Sequence, residues 1–218
     1  MIRSWKKIFI CGLSLFICFS FSTGSQAAVK KDSGGYIIGQ KLPKKPYYKN
    51  GVLIVNKQHP LPKNYAPGES KTARKAFNQM ATTARKSGHR LTAFSTYRSF
   101  SRQQVLYANY KKRDGQKAAD RYSARAGYSE HQSGLGFDIG DSRYPKHFAE
   151  DSFAKTKAAK WLAKHAHEYG FVLRYPKGKE KITGYMYESW HFRYVGKSLA
   201  KKIHAKNVTM EEYFNIVK

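Results

Sequence analysis

Cysteine and acidic residues are both scarce in this sequence. The only two cysteines, Cys11 and Cys18, lie in the first 27 residues, so the rest of the chain can have neither a disulfide framework nor a catalytic thiol. There are 14 acidic residues against 41 lysines and arginines. No helix-turn-helix, zinc-finger or aromatic RNA-binding signature accompanies this positive charge, which argues against a nucleic-acid partner.

The first 27 residues have the parts of a secretory signal peptide. A basic start is followed by an apolar run of 14 residues, Ile8 to Phe21, and then by the small-x-small cleavage signal Ser25-Gln26-Ala27. An uncleaved membrane anchor is the alternative, but the run is short for a bilayer span of about 20 residues. We therefore predict that residues 1–27 are removed on export, which leaves no stable membrane span.

Removal of this segment leaves 38 basic and 14 acidic residues, a net charge of +24. Such an excess predicts association with a polyanion. Because the chain is predicted to be exported, anionic polymers of a cell envelope are expected rather than nucleic acid. The simpler alternative is that most of the lysines form a solvated surface.

The composition divides the exported chain into two parts. Residues 28–50 are rich in lysine, glycine, proline and tyrosine and have no apolar period, which predicts a basic, flexible tether. Residues 51–218 are predicted to form the catalytic domain, a length that suits a single hydrophobic core.

Hydrophobic periodicity within this domain predicts both helices and strands. We expect a single α+β domain with a small, mainly antiparallel sheet flanked by helices. The predicted strands are 52–55, 91–96, 171–174 and 185–195, the last interrupted near Glu188. The predicted helices are 71–86, 101–112, 156–169 and 196–206, followed by a short helix that opens with a capping box at Thr209.

The stretch Ser129 to Asp138 contains the first candidate site. His131 and Asp138 are seven residues apart, with Gly134 and Gly136 between them and an apolar residue on each side of Asp138. This pattern predicts a turn that places Asp138 on a buried strand, where both side chains can reach one metal ion.

Glu188 and His191 supply a third ligand and a spare carboxylate. Two imidazoles and one carboxylate are ordinary zinc ligands, and three protein ligands with one open position are typical of a catalytic site. Residues three apart on a regular strand face opposite sides, so Glu188 is expected on a loop or bulge before the strand. Each motif alone is a weak signal, since such spacings occur by chance in many proteins.

Arg98 follows a predicted strand in the stretch Tyr97-Arg98-Ser99. An arginine at a strand end is a candidate for binding a carboxylate, because its guanidinium can donate two parallel hydrogen bonds. Gln103 is expected one turn into the next helix, close enough to share the site.

Together these motifs resemble the VanY-type zinc D-Ala-D-Ala carboxypeptidases, a family that includes L,D-carboxypeptidases of peptidoglycan stem peptides. The resemblance runs from about Val52 to Val195. It is carried by the motifs Leu53-Ile54-Val55-Asn56-Lys57, Tyr97-Arg98-Ser99 with Gln103, Ser129-Glu130-His131-Gln132-Ser133-Gly134, Leu173-Arg174-Tyr175-Pro176 and Tyr187-Glu188-Ser189-Trp190-His191.

The resemblance implies roles for individual residues. One zinc ion would be bound at the sheet by His131, Asp138 and His191. Glu188 would be the catalytic base. The residues near the substrate would be Arg98, Gln103, Ser129, Tyr175 and Trp190. Two positions depart from the family pattern: Gly136 replaces a common alanine, and Ser189 a common proline. Neither is a ligand or the base, so activity is expected to survive.

The implied function is removal of the C-terminal D-alanine from peptidoglycan stem peptides by a secreted or cell-wall-associated bacterial enzyme. Zinc would activate a water molecule, Glu188 would accept its proton, and Arg98 would hold the terminal carboxylate. An L,D-carboxypeptidase acting on tetrapeptides and an endopeptidase with an open groove are the nearest alternatives. A cell-wall-binding protein without activity is another, although all three ligands and the base are present.

Overall fold

The structure is a computed structural model that describes Met1 and residues 29–216. The predicted signal peptide, apart from Met1, lies outside the described residues. Among those described, no helix combines the length and apolar character needed to cross a membrane.

A four-stranded antiparallel sheet forms the centre of the molecule, as predicted. A small hairpin of β1 (Tyr48–Lys49) and β2 (Val52–Leu53) comes first in the chain and lies outside it. The main sheet has the order β3-β4-β6-β5 and consists of β3 (Leu91–Ser95), β4 (Gly136–Asp141), β5 (Phe171–Leu173) and β6 (His191–Tyr194). All six residues of β4 are buried, because it has a partner strand on each side.

The helices flank this sheet, and the buried residues of the first and fourth follow the predicted apolar spacing. They are α1 (Lys71–Lys86), α2 (Phe100–Asp114), α3 (Gln116–Tyr122), α4 (Lys157–His165), α5 (Glu180–Thr183), α6 (Lys197–Lys206) and α7 (Met210–Tyr213). Ser70 caps α1 by accepting a hydrogen bond from the Ala73 amide, and the predicted capping box at Thr209 opens α7.

The two faces of the main sheet have different chemistry. Phe137 of β4 lies opposite Phe192 of β6, and both belong to the apolar core that the sheet forms with α1 and α4. The next pair in the register, Asp138 and His191, faces the other side because side chains alternate along a strand. One face of the sheet therefore builds the core, and the other presents polar groups.

Several predicted elements are shorter in the structure, and the strand expected at 52–55 covers only Val52–Leu53. The strand expected at 185–195 begins only at His191, because Glu188 to Trp190 form a turn in which the His191 amide donates to the Glu188 carbonyl, 3.3 Å away. The helix expected at 156–169 ends at His165 and continues as a 3-10 turn to Tyr169.

Part of the segment predicted as a flexible tether contacts the domain, around Tyr36. Tyr36 is 2% exposed, and Asp32 pairs with Arg125 at 2.7 Å. The Lys57 ammonium donates to the Gly34 carbonyl at 2.6 Å. These contacts are mostly polar and irregularly spaced, so they leave no hydrophobic period in the sequence, and the flexibility of the whole stretch stays a prediction.

Two buried arginines connect the polar face of the sheet to the C-terminal helix. Arg174 donates to Glu130 at 2.8 Å and to Glu211 of α7 at 2.6 Å, and Arg193 donates to the same Glu130 oxygen at 2.7 Å. Burial raises the pKa of Glu130, but the two arginines outweigh that effect and hold it well below its usual range. Glu130 is therefore ionised in the interior.

Replacing Glu211 with alanine is expected to destabilise the protein by about 3–5 kcal/mol, because Arg174 and Arg193 would then share a single buried carboxylate. The free energy of unfolding in urea is the measurement. Glu212→Ala is the matched control: the neighbouring side chain is partly exposed and forms the capping box, so its loss should cost about 1 kcal/mol. Equal losses for the two variants would contradict the buried network.

Candidate metal centre and active site

The three predicted metal ligands converge on the polar face of the sheet. Asp138 on β4 and His191 on β6 lie opposite each other in the register, while His131 comes from the 3-10 turn Glu130–Ser133 just before β4. One ligand atom from each of the three lies within 4.8 Å of the other two, and all three residues are buried. No other group of three such side chains occurs among the described residues.

Gly134 makes the turn between His131 and β4. Its φ of 71° is left-handed, and a Cβ there would lie 2.0 Å from the carbonyl oxygen of Gly68. Only glycine fits both the conformation and the space. The turn therefore brings His131 over the start of the strand that carries Asp138.

Hydrogen bonds select which imidazole nitrogen of His131 and His191 faces the centre. The His131 Nδ1 donates to the Thr96 carbonyl at 2.6 Å, so Nε2, 3.1 Å from Asp138, keeps its lone pair. The His191 Nδ1 is 2.8 Å from the other Asp138 oxygen. Two imidazoles and a carboxylate in this arrangement fit a tetrahedral divalent metal such as zinc.

The electrostatics of the centre favour a positive charge. Burial lowers the pKa of His191, but the hydrogen bonds of this side chain to Asp138 and Glu130 outweigh burial and raise it to about 10. Asp138 has a pKa well below its usual range, because interactions with His131 and His191 overcome the opposing effect of burial. The same field that stabilises a proton here stabilises a metal cation.

Glu188 lies in the turn before β6, as expected from its spacing to His191. Its amide donates to the Tyr175 carbonyl at 3.1 Å, and its carboxylate comes within 3.9 Å of His191 Nδ1. Burial raises the pKa of Glu188 to about 8. This effect outweighs that of nearby His191 and Arg98, which lower the pKa. This is the behaviour of a carboxylate that can hold a proton near neutral pH.

Arg98 reaches the centre from the end of β3. Its guanidinium donates to Ser95 at 2.9 Å and to the Gln103 side-chain oxygen at 2.8 Å, and it is 3.9 Å from Asp138. Gln103 is 1% exposed and does not line the cavity. The structure thus places Gln103 behind Arg98, which it holds in position, rather than against a substrate.

A cavity of about 490 Å³ opens over the centre. The three other predicted substrate residues, Ser129, Tyr175 and Trp190, all line it. The Tyr175 ring stacks on His191, with ring centroids 5.0 Å apart. All the predicted site residues except Gln103 therefore border one space.

Glu130 is a site residue that the sequence patterns did not single out. One of its carboxylate oxygens accepts from Arg174 and Arg193, and the other lies 3.5 Å from His191 Nε2. This second Glu130 oxygen and His191 Nε2 are both buried, and neither has another hydrogen-bond partner. A proton on Nε2 facing Glu130 leaves Nδ1 free for the centre. The available signal was an acidic residue next to His131 in a chain poor in acids.

A family model described as VanY, D-alanyl-D-alanine carboxypeptidase, matches residues 68–197. The chain belongs to the VanY family. The match includes every residue of the centre and confirms the resemblance seen in the sequence.

Three VanY-type relatives illustrate the range of similarity. YodJ of Bacillus subtilis is 41% identical over 188 residues, covering 78% of this chain and 68% of that protein. The L,D-carboxypeptidase DacB of Streptococcus pneumoniae has 47% identity and a TM-score of 0.67, covering 75% of this chain and 85% of its own. The vancomycin-resistance D,D-pentapeptidase VanY, solved with Zn(II), has 31% identity and a TM-score of 0.62, covering 74% and 97%.

Changing Glu130 to glutamine is expected to weaken metal binding about 10- to 100-fold. Arg174 and Arg193 would donate to the amide oxygen of the new side chain, so its NH₂ group would face His191 Nε2. Two donors would then face each other, which disfavours the proton on Nε2. Chelator competition with Zn²⁺ measures the effect. Glu168→Gln, at the surface pair that Glu168 forms with His165 at 3.0 Å, is the matched control. Unchanged affinity in folded Glu130→Gln would contradict this role.

Proposed function

We propose that this VanY-family protein is a zinc metallocarboxypeptidase that releases the C-terminal D-alanine of peptidoglycan stem peptides. One observation carries the proposal: three ligand side chains, a buried carboxylate and an arginine border the same cavity. The ligands are His131, Asp138 and His191.

Zinc is supported by the donor set and by the Zn(II) complex of the related VanY structure. A zinc ion bound by the three ligands supplies Lewis acidity for the scissile carbonyl and lowers the pKa of water. The protein's part is to keep the three donors deprotonated and aimed at one point. The Thr96 carbonyl accepts a hydrogen bond from His131 Nδ1 and Glu130 faces His191 Nε2, which leaves the other nitrogen of each imidazole directed at the centre.

Glu188 is proposed as the general base. The raised pKa that burial gives it matches a group that takes a proton from water and later passes it to the departing amine. The turn before β6 places it beside His191 without making it a fourth ligand. Base and ligands can then act on the same carbonyl carbon.

Arg98 is proposed to bind the terminal carboxylate of the peptide. Its guanidinium is held by Ser95 and Gln103, so little side-chain entropy is lost when a carboxylate binds. Ser129, Tyr175 and Trp190 complete the walls around the last residues of the substrate.

The bond that is cleaved depends on the residue before the terminal D-alanine. A D,D-carboxypeptidase acts on pentapeptide stems, which was the first expectation from the sequence, and an L,D-carboxypeptidase acts on tetrapeptide stems. The L,D-carboxypeptidase DacB is 47% identical to this chain, against 31% for the D,D-pentapeptidase VanY. This difference in identity supports the L,D activity. It is therefore the second candidate function, and both activities are to be tested.

Glu188→Ala is expected to retain zinc and to lose at least about 100-fold in D-alanine release, since general-base catalysis contributes about 10²–10⁴-fold. Metal content and amino-acid release are measured on the same preparation. Glu180→Ala, at an exposed glutamate outside the cavity, is the control. Full activity in Glu188→Ala would overturn the assignment of the base.

Defined stem peptides decide between the two bonds. Pure protein is incubated with a pentapeptide and with a tetrapeptide, and the products are identified by mass. Loss of one D-alanine from the pentapeptide alone indicates D,D activity, and loss of the single D-alanine of the tetrapeptide indicates L,D activity. No release from either, with zinc bound, would favour a wall-binding protein without catalysis.

Export and association with anionic wall polymers stay predictions from the signal sequence and the charge of +24. Binding to isolated wall fragments that weakens as salt is added would support the second. Equal binding to uncharged fragments would contradict it.

A further inference from the structure

The packed N-terminal segment reaches the wall of the cavity through Tyr36. Its hydroxyl lies 3.3 Å from the hydroxyl of Tyr185 and accepts a hydrogen bond from the Arg125 amide at 3.1 Å. Tyr185 itself is buried and lines the cavity. Tyr36 is therefore separated from the substrate space by one side chain.

Tyrosine rings extend this contact to the metal centre. Tyr185 packs on Tyr175 with ring centroids 4.9 Å apart, and Tyr175 stacks on His191 at 5.0 Å. Protein interiors are close-packed, so a shift of Tyr185 would be transmitted to Tyr175. The position of Tyr36 thus bears on two residues of the cavity wall.

Cationic side chains hold Tyr36 from two sides. The Lys57 ammonium lies 4.9 Å from the Tyr36 ring and 4.5 Å from the Tyr185 ring, and the Arg125 guanidinium lies 4.0 Å from the Tyr36 ring. These are cation–π distances. Lys57 also donates to the Asp120 carbonyl at 2.7 Å, which ties the cluster to α3.

Gly34 allows the segment to approach this closely. A Cβ at Gly34 would lie 2.2 Å from a carboxylate oxygen of Asp120, which is itself fixed by Arg125 at 2.7 Å. The segment therefore occupies a fitted place on the domain, with Tyr36 at its deepest point.

We propose that Tyr36 is a positioning residue for peptide binding: through Tyr185 it fixes the part of the cavity wall formed by Tyr185 and Tyr175. The segment of residues 29–40 is then a part of the catalytic unit rather than a link to it. This inference rests on the proposed carboxypeptidase function, and it concerns substrate affinity rather than metal binding or the chemical step.

Tyr36→Phe is the test, because the ring stays between Lys57 and Arg125 while both hydrogen bonds of the hydroxyl are lost. A net hydrogen bond corresponds to about a five-fold change in an equilibrium constant. We expect KM for the cleaved stem peptide to rise about 3- to 10-fold, with kcat within about two-fold and zinc content unchanged. Tyr48→Phe, at a tyrosine of β1 that is 51% exposed, is the matched control and should leave KM unchanged.

A second variant, Gly34→Ala, moves the segment away from Asp120 without touching Tyr36 and should raise KM in the same way. Folded Tyr36→Phe and Gly34→Ala proteins with wild-type KM would overturn the inference, as would a loss confined to thermal stability. The same experiment separates the role of Tyr36 from the proposed function. A wild-type protein that releases no D-alanine would refute the proposed function itself, whereas an active wild type with unaffected variants would refute only the role of Tyr36.

Discussion

The pairing of Asp138 with His191 across two antiparallel strands is the contact on which the rest of the site depends. It places a carboxylate and an imidazole on one face of the sheet, while their strand neighbours Phe137 and Phe192 form the core on the other. A shift of one residue in this register would bury the ligands in the core and expose the phenylalanines. The hydrophobic core therefore fixes the register, and the register fixes the metal centre.

A network of buried charged side chains supports the pairing of Asp138 with His191. Glu130 accepts hydrogen bonds from two arginines through one oxygen and presents the other to His191. The same network reaches Glu211 in the last helix, so the C-terminal part of the chain contributes to a site formed by residues far away in sequence. Ionised groups in the interior are costly unless paired, which makes each partner of this network dependent on the others.

The N-terminal segment shows where composition is a poor guide. A stretch rich in lysine, glycine and proline usually indicates a linker, because it cannot bury a regular apolar face. Here a tyrosine, an aspartate and a glycine backbone each find a fitted partner on the domain, at Tyr185, Arg125 and Lys57. The contact of Tyr36 with Tyr185 matters for function because Tyr185 also lines the cavity.

The sequence by itself determined the α+β class, the helices α1 and α4 with their apolar faces, and the candidate ligand set of His131, Asp138 and His191, since these depend on local periodicity and on residue chemistry. The turn that separates Glu188 from β6 also followed from spacing alone. Only the tertiary structure decided that Gln103 lies next to Arg98, that Glu130 faces His191, and that Asp32, Gly34 and Tyr36 contact the domain. Those features depend on contacts between residues distant in the chain, and single polar contacts of that kind leave no periodic pattern in the sequence.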